Sequence, residues 1–148
     1  MKGFFVRSSR ITPSIYFNPK KHLLDIRGKS SPENPLDFYN LIQLNLDMYA
    51  KEQYSKINVN LALNYFNTSS SKCIFVMFKK LDELERLGKK VVVNWFYEAF
   101  DEDMKESGMD LASFFEMDFN FIAIPEIKAL GQQKKNSKIG RASCRERV

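Results

Sequence analysis

Apolar and polar side chains alternate along residues 57–65 more regularly than anywhere else in the chain. The first set of alternate positions is largely apolar and consists of Ile57, Val59, Leu61, Leu63 and Tyr65. The second set is more polar and consists of Asn58, Asn60, Ala62 and Asn64. Successive side chains of a β-strand point to opposite faces, so this pattern predicts a strand with one covered and one more polar face.

Three other segments are predicted to be helices, the first two from apolar residues at helical spacing. The first predicted helix covers Asp37–Ala50, and its stripe consists of Phe38, Leu41, Ile42, Leu46 and Tyr49. The second follows the sequence YFNTSSSK and reaches about Leu87, and its stripe consists of Ile74, Met77, Phe78, Leu81 and Leu84. The third covers Asp101–Phe115 and begins with acidic residues, which the helix dipole favours.

The remaining apolar segments predict the other strands of a sheet. They are a short edge strand at Phe4–Val6, a hairpin from Ile11–Phe17 and His22–Arg27, and two later strands at Val91–Tyr97 and Phe119–Ile124. The sequence GKSSPENP after the hairpin predicts a loop. Alternating strands and helices imply parallel pairing with right-handed crossovers. We therefore predict a single small α/β domain, with a mixed sheet, parallel β-α-β units and helices mainly on one face.

The chain has 148 residues, of which 44% are hydrophobic. This length and composition suit one core, so we assign residues 1–130 to one domain and residues 131–148 to a disordered tail. Within the tail, residues 139–148 read IGRASCRERV. With one choice of codons this stretch spells a common sequencing adapter, so we expect it to derive from adapter DNA.

The adapter segment changes the interpretation of the charge. It contributes three arginines and one glutamate, a net +2, so the formal net charge of +5 falls to +3 without it. A net charge this small gives little support to nucleic-acid binding, and we predict none. No apolar run is long enough to span a bilayer and no signal peptide is evident, so we expect a cytoplasmic protein without membrane insertion.

Residues suited to catalysis or metal binding are sparse. His22 is the only histidine and lies beside a turn, and Cys73 lies among apolar neighbours, where it reads as a packed thiol. The acidic sequence at residues 101–103 could bind a cation, but such a cluster more often caps a helix. We therefore predict no cofactor, no metal and no enzymatic activity.

The hydroxyl-rich sequence YFNTSSSK, residues 65–72, lies between a predicted strand and a predicted helix. One interpretation is a helix N-cap with Ser69 or Ser70 as the capping residue. The other is a phosphorylation site, because a helix N-terminus offers free amide groups and the positive end of the dipole to a phosphate. A phosphate there would leave the fold intact, yet it would oppose a partner docked over the same loop.

Four stretches together carry a resemblance to a known family: ITPSIYF, GKSSPENP, NYFNTSSSK and VNWFYEAFDEDMKESGMDL. From Ile11 to Ile127 the chain resembles the SiaC-type family of small bacterial regulatory phosphoproteins, which are STAS-like and similar to anti-sigma-factor antagonists. The resemblance implies partner switching. A serine/threonine kinase phosphorylates Thr68, a phosphatase removes the phosphate, and the unmodified form activates a diguanylate cyclase, which promotes cyclic-di-GMP synthesis and biofilm formation.

The same resemblance implies a docking face around the phosphorylation site. The residues that match its two motifs, together with the neighbouring aromatic, are Tyr65, Asn67, Thr68, Ser69, Ser70, Ser71, Lys72, Pro32, Glu33 and Asn34. Phosphorylation of Ser69–Ser71 stays open at this point. A rival interpretation is a small ligand-binding domain or enzyme that uses the polar sheet face, with Asn58, Asn60 and Asn64 lining a pocket.

Overall fold

A computed structural model describes residues 1–130, and in it six strands lie side by side in the order of the sequence. The predicted tail at residues 131–148, with its adapter-derived segment, lies outside the described residues. The strands are β1 Phe4–Val6, β2 Ser14–Asn18, β3 Leu23–Ser30, β4 Lys56–Phe66, β5 Lys90–Glu98 and β6 Asp118–Ile124. The α-helices are α1 Leu36–Lys51, α2 Thr68–Arg86 and α3 Glu102–Ala112, and a 3-10 turn covers Pro19–Lys21.

The pairing directions explain why the helices share one face of the sheet. Strands β1, β2 and β3 pair antiparallel, whereas β3, β4, β5 and β6 pair parallel. Each parallel pair is connected through one helix. Since every crossover advances to the next strand in the same direction, right-handed connections place α1, α2 and α3 on the same side. The predicted α/β fold with a mixed sheet is confirmed.

The core lies between the sheet and the helices. On β4 the predicted apolar positions Ile57, Val59, Leu61 and Leu63 are at most 1% exposed. The stripe of α2 is buried as predicted, from Ile74 to Leu84. Within residues 1–130, no helix is long and apolar enough to cross a lipid bilayer.

The predicted alternation on β4 is wrong at its last position, Tyr65. Gly28 lies opposite Leu63 and Lys29 lies opposite Tyr65, so β4 carries one extra residue at Asn64. This bulge reverses the facing of the residues that follow. Tyr65 is therefore 49% exposed, and Phe66 turns towards the core, with its ring edge-on to Trp95.

Two further sequence predictions need correction. The Gly28-Lys29-Ser30 stretch, predicted as loop, forms the end of β3. On α1 the buried stripe contains Tyr39 at 2% exposure, whereas the predicted Leu41 is 37% exposed. Tyr39 reaches a buried hydroxyl on β3, which gives its polar end a partner in the core.

Candidate functional site

Helix α2 begins at the end of the sheet where the parallel strands have their C-termini. Thr68 is its first residue and follows directly after β4 and Asn67. The side chains of Thr68 and Ser69 are exposed, whereas Ser70 is fully buried. The structure thus divides the predicted hydroxyl cluster into an outer part and an inner part.

The residue that caps α2 is Asn67, so the prediction of Ser69 or Ser70 was wrong. The Asn67 side-chain oxygen accepts a hydrogen bond from the Ser70 backbone amide at 2.8 Å. The backbone of Asn67 is extended, as is typical of a capping residue. An Asx-type cap therefore satisfies the third amide of the helix and leaves the neighbouring hydroxyl groups for other contacts.

Asn67 also holds the loop that follows β3. Its side-chain amide donates a hydrogen bond to the Pro32 carbonyl oxygen at 2.9 Å, and its backbone amide donates to the Ser30 carbonyl oxygen at 3.0 Å. In that loop Pro32 is buried, whereas Glu33 and Asn34 are exposed. The two predicted motifs, separate in the sequence, are therefore adjacent in the fold.

Three hydroxyl groups form a buried cluster beneath this junction. The Ser30 hydroxyl donates to the Ser70 hydroxyl at 2.7 Å and lies 2.9 Å from the Tyr39 hydroxyl. The Ser70 hydroxyl donates in turn to the Ser30 carbonyl oxygen at 3.2 Å. Burial raises the pKa of Tyr39 to about 12, which its hydrogen bond with Ser30 opposes only in part. The cluster joins β3, α1 and α2 at one point.

The surface above the cluster is suited to an anion. Among the first amides of α2, Ser70 donates to Asn67 Oδ1 and Ser71 to the Asn67 carbonyl oxygen. The amides of Thr68 and Ser69 have no acceptor within residues 1–130. Such amides and the helix dipole favour negative charge at this end.

The other predicted contact residues surround this helix start. Lys72 is exposed one turn into α2, and it makes no ion pair with any residue of the described part of the chain. The Ser71 hydroxyl donates to the Thr68 carbonyl oxygen. Asn34 accepts a hydrogen bond from the Leu36 amide, close to the start of α1. Pro32 and Ser70 are buried, so the structure places these two beneath the predicted docking face.

The polar face of the sheet carries a row of hydrogen-bonded side chains at matching register positions. Asn120 donates to Asn94 at 2.9 Å and Asn94 donates to Asn60 at 3.0 Å. Asn60 donates to Asp25 at 3.2 Å, and Arg27 makes two hydrogen bonds of 2.7 Å to the same carboxylate. The amide of Asn60 is thus engaged on both sides by protein groups.

The rival expectation was a pocket lined by Asn58, Asn60 and Asn64. Asn60 belongs to the ladder, whereas Asn64 is exposed at the bulge near the end of β4. Asn94 stands out in the sequence as a polar residue between Val93 and Trp95, but its partners depend on strand register. Sequence reasoning missed Asp25, Asn94 and Asn120 for that reason.

Two further predictions concern residues outside the helix start. The acidic sequence at residues 101–103 provides a cap, since Asp101 Oδ1 accepts from the Met104 amide at 3.1 Å. Cys73 is a buried free thiol as predicted, and burial raises its pKa. Within residues 1–130, no group of three or more acidic, cysteine or histidine side chains could hold a metal ion.

Comparisons with known proteins agree with this fold. A relative described as an uncharacterized protein of Pseudomonas aeruginosa (strain UCBPP-PA14) is 26% identical over 121 residues, which cover 82% of this chain and 93% of the relative. The crystal structure of apo-SiaC from Pseudomonas aeruginosa matches with a TM-score of 0.78 at 22% identity, covering 83% of this chain and 100% of that chain.

A third comparison involves a complex. A chain in the crystal structure of the diguanylate cyclase SiaD with its activator SiaC, from Pseudomonas aeruginosa, matches with a TM-score of 0.78 at 22% identity. The match covers 82% of this chain and 99% of that one. At this identity, the structural likeness establishes the fold. The family model described as SiaC family regulatory phosphoprotein matches residues 6–124. The chain therefore belongs to the SiaC family of regulatory phosphoproteins.

Proposed function

We propose that this chain is a partner-switching regulator whose phosphorylation site is Thr68. A serine/threonine kinase adds the phosphate and a phosphatase removes it. The unphosphorylated form binds and activates a diguanylate cyclase in the cytoplasm, which raises cyclic-di-GMP and favours biofilm formation. The observation that carries the proposal is the exposed Thr68 side chain at the start of α2, beside two amides that have no acceptor within residues 1–130.

The folded protein can accept a phosphate at Thr68 with little loss of stability. The group would meet unpaired amides and the positive end of the helix dipole, which contributes roughly 0.3–1 kcal/mol for a charge near a helix terminus. The buried hydroxyl of Ser70 is closed to a kinase in the folded state. Thr68 and the exposed Ser69 are thus the accessible acceptors at the helix start, and the half-buried Ser71 hydroxyl is held by the Thr68 carbonyl oxygen.

A docked partner would respond differently to the same phosphate. The proposed docking face consists of the exposed residues Tyr65, Thr68, Ser69, Lys72, Glu33 and Asn34, with Ser71 beside them. A phosphate brings about −1.5 to −2 charges. Burying that charge against a partner costs several kcal/mol unless cations meet it. One modification therefore dissociates the complex while the fold persists.

The chain itself is proposed to be non-catalytic. His22, its only histidine, lies at the start of β3, at the end of the sheet opposite the helix start, and contacts the Tyr49 hydroxyl at 3.1 Å. The rival interpretation requires a pocket on the polar sheet face. There, the side chains of Asn60, Asn94 and Asp25 are hydrogen-bonded to one another. No observation therefore favours the rival function over the regulatory one.

Incubation of the full chain with its cognate kinase and ATP tests the proposal. Mass spectrometry should find one phosphate, on Thr68, and the phosphorylated chain should no longer bind or stimulate the purified cyclase. Treatment with the phosphatase should restore both properties. The Thr68→Ala variant should remain unmodified and should activate the cyclase in the presence of the kinase. Unmodified Thr68–Ser71 after a reaction in which the kinase is active would refute the proposal.

A further inference from the structure

A groove between α1 and α2 opens beside the phosphorylation site. Its volume is about 160 Å³. Tyr39 and Cys73 are buried and form its floor, whereas Leu36 and Val76 are half exposed and form its rim. Lys72 also lines the groove, one helical turn after Thr68. The groove is therefore continuous with the proposed docking face.

We propose that this groove receives one large apolar side chain of the diguanylate cyclase, and that Lys72 pairs with a carboxylate next to that side chain. This inference rests on the proposed function and specifies how its partner is recognised. A cavity of roughly 150 Å³ in an apolar core holds a benzene ring, so the groove has room for one aromatic or branched side chain. Single apolar anchors of this kind often carry much of the affinity of an interface.

The positive charge of Lys72 at the groove is the reason to expect a carboxylate on the partner. Lys72 is the only charged side chain that lines it, and it makes no ion pair with any other residue in the described range 1–130. Further along the same pair of helices, Lys80 is already paired with Asp47 at 2.6 Å. A partner carboxylate at the Thr68 end would therefore meet an available cation, which adds specificity to the apolar contact.

The position of Lys72 gives phosphorylation a direct effect on the groove. Residues four apart on a helix are neighbours on its surface, so a phosphate on Thr68 lies within reach of the Lys72 ammonium group. The phosphate would take the cation by a charge-assisted hydrogen bond and would repel the partner carboxylate. The apolar floor is unchanged, but the net charge around Lys72 changes from positive to negative.

Binding of the unphosphorylated full chain to the purified cyclase, measured by calorimetry, tests the groove. Val76→Arg places a long cation at the rim and should weaken binding by about tenfold or more. Met109→Arg is the matched control, because Met109 is 49% exposed on α3 and does not line the groove. This control should bind as the unchanged chain does, and both variants should unfold at the same temperature as the unchanged chain.

The charged element has its own pair of variants. Lys72→Glu should weaken cyclase binding, whereas Lys72→Arg should retain it. If the unchanged chain binds the cyclase and loses it on phosphorylation, while Val76→Arg and Lys72→Glu bind normally, the groove inference is overturned and the proposed function stands. If the unphosphorylated chain does not bind the cyclase at all, the proposed function fails and the groove inference fails with it.

Discussion

The side chain of Asn67 connects the start of α2 to the carbonyl oxygen of Pro32, 2.9 Å from its amide nitrogen. Its own oxygen caps the helix through the Ser70 amide. One side chain thus uses both its donor and its acceptor to fix two segments that are far apart in the sequence. The loop with Glu33 and Asn34 is thereby held beside Thr68, where both contribute to the proposed docking face.

Replacement of Asn67 separates its two roles. Asn67→Asp keeps the capping oxygen and loses the donor to Pro32, so it should lower the free energy of unfolding by less than about 1 kcal/mol. Asn67→Ala loses both contacts and should lower it by about 1–2 kcal/mol. Urea unfolding measures both values. Equal stability of the two variants would show that the cap contributes nothing.

Ser69 and Ser70, the first two serines after Thr68, differ in burial and should differ in their effect on stability. Ser70→Ala removes a hydroxyl from the buried cluster and leaves Ser30 with one partner fewer, which should cost about 1–3 kcal/mol. Ser69→Ala changes an exposed side chain on the same helix turn and should stay within about 0.5 kcal/mol. Thermal unfolding of the pair decides the point, and equal melting temperatures would contradict the cluster.

Alkaline pH should destabilise the fold through Tyr39. Its pKa is raised from 10.0 to about 12 in the folded state because burial disfavours the phenolate. Between these values the unfolded chain releases the proton and the folded chain retains it. The contribution to stability is therefore complete below pH 10 and is lost as the pH rises to about 12, by roughly 3 kcal/mol. Chemical unfolding at a series of pH values from 9 to about 12 measures this loss.

Tyr39→Phe provides the control for the alkaline transition. The variant should be less stable at neutral pH by about 1 kcal/mol, because Ser30 loses a hydrogen-bond partner. It should also lose a smaller amount of stability than the unchanged chain as the pH rises. Parallel curves for the two proteins would show that Tyr39 does not cause the transition.

Gly108 allows α3 to lie directly on the indole ring of Trp95. A Cβ at this position would lie 2.5 Å from Trp95 Cε2, and the indole nitrogen donates to the Met104 carbonyl oxygen at 3.0 Å. Gly108→Ala should therefore cost about 2 kcal/mol or more despite the gain of up to ~1 kcal/mol in helix propensity.

The same substitution can be followed spectroscopically. Trp95 is the only tryptophan, so a shift in its fluorescence reports the displaced helix. Glu106→Ala, an exposed position on the same helix, should leave both stability and fluorescence nearly unchanged. A Gly108→Ala variant as stable as the unchanged chain would show that α3 can move away from the ring without cost.

Local pattern was sufficient for most of the elements. The alternation on β4 and the stripe of α2 arise from periodicities of a single segment, which the sequence displays directly. The facing of Tyr65 was wrong because the bulge at Asn64 depends on how β4 pairs with β3, a relationship between distant segments. The same limitation hid the asparagine ladder, whose members come from separate strands.

At the start of α2, the sequence likewise showed the local pattern but not the contacts with distant segments. The residue types of YFNTSSSK indicated a capped helix with more hydroxyl groups than one cap requires. The identity of the capping residue depends on contacts outside this motif. Ser30 and Tyr39 hold Ser70 inside the core, and Asn67 caps the helix. Burial of Ser70 and exposure of Thr68 follow from this non-local contact.

The proposed mechanism predicts that charge alone at Thr68 controls cyclase binding. Thr68→Glu and Thr68→Gln have nearly the same shape and differ by one negative charge. Both should keep the fold, and the glutamate should gain roughly 0.3–1 kcal/mol of stability from the helix dipole. The glutamate variant should bind the cyclase more weakly than the glutamine variant, though less severely than the phosphorylated chain, since it carries one charge where a phosphate carries about −1.5 to −2. Equal affinity of the two variants at low salt, where charge effects are strongest, would show that the switch does not act through electrostatic repulsion.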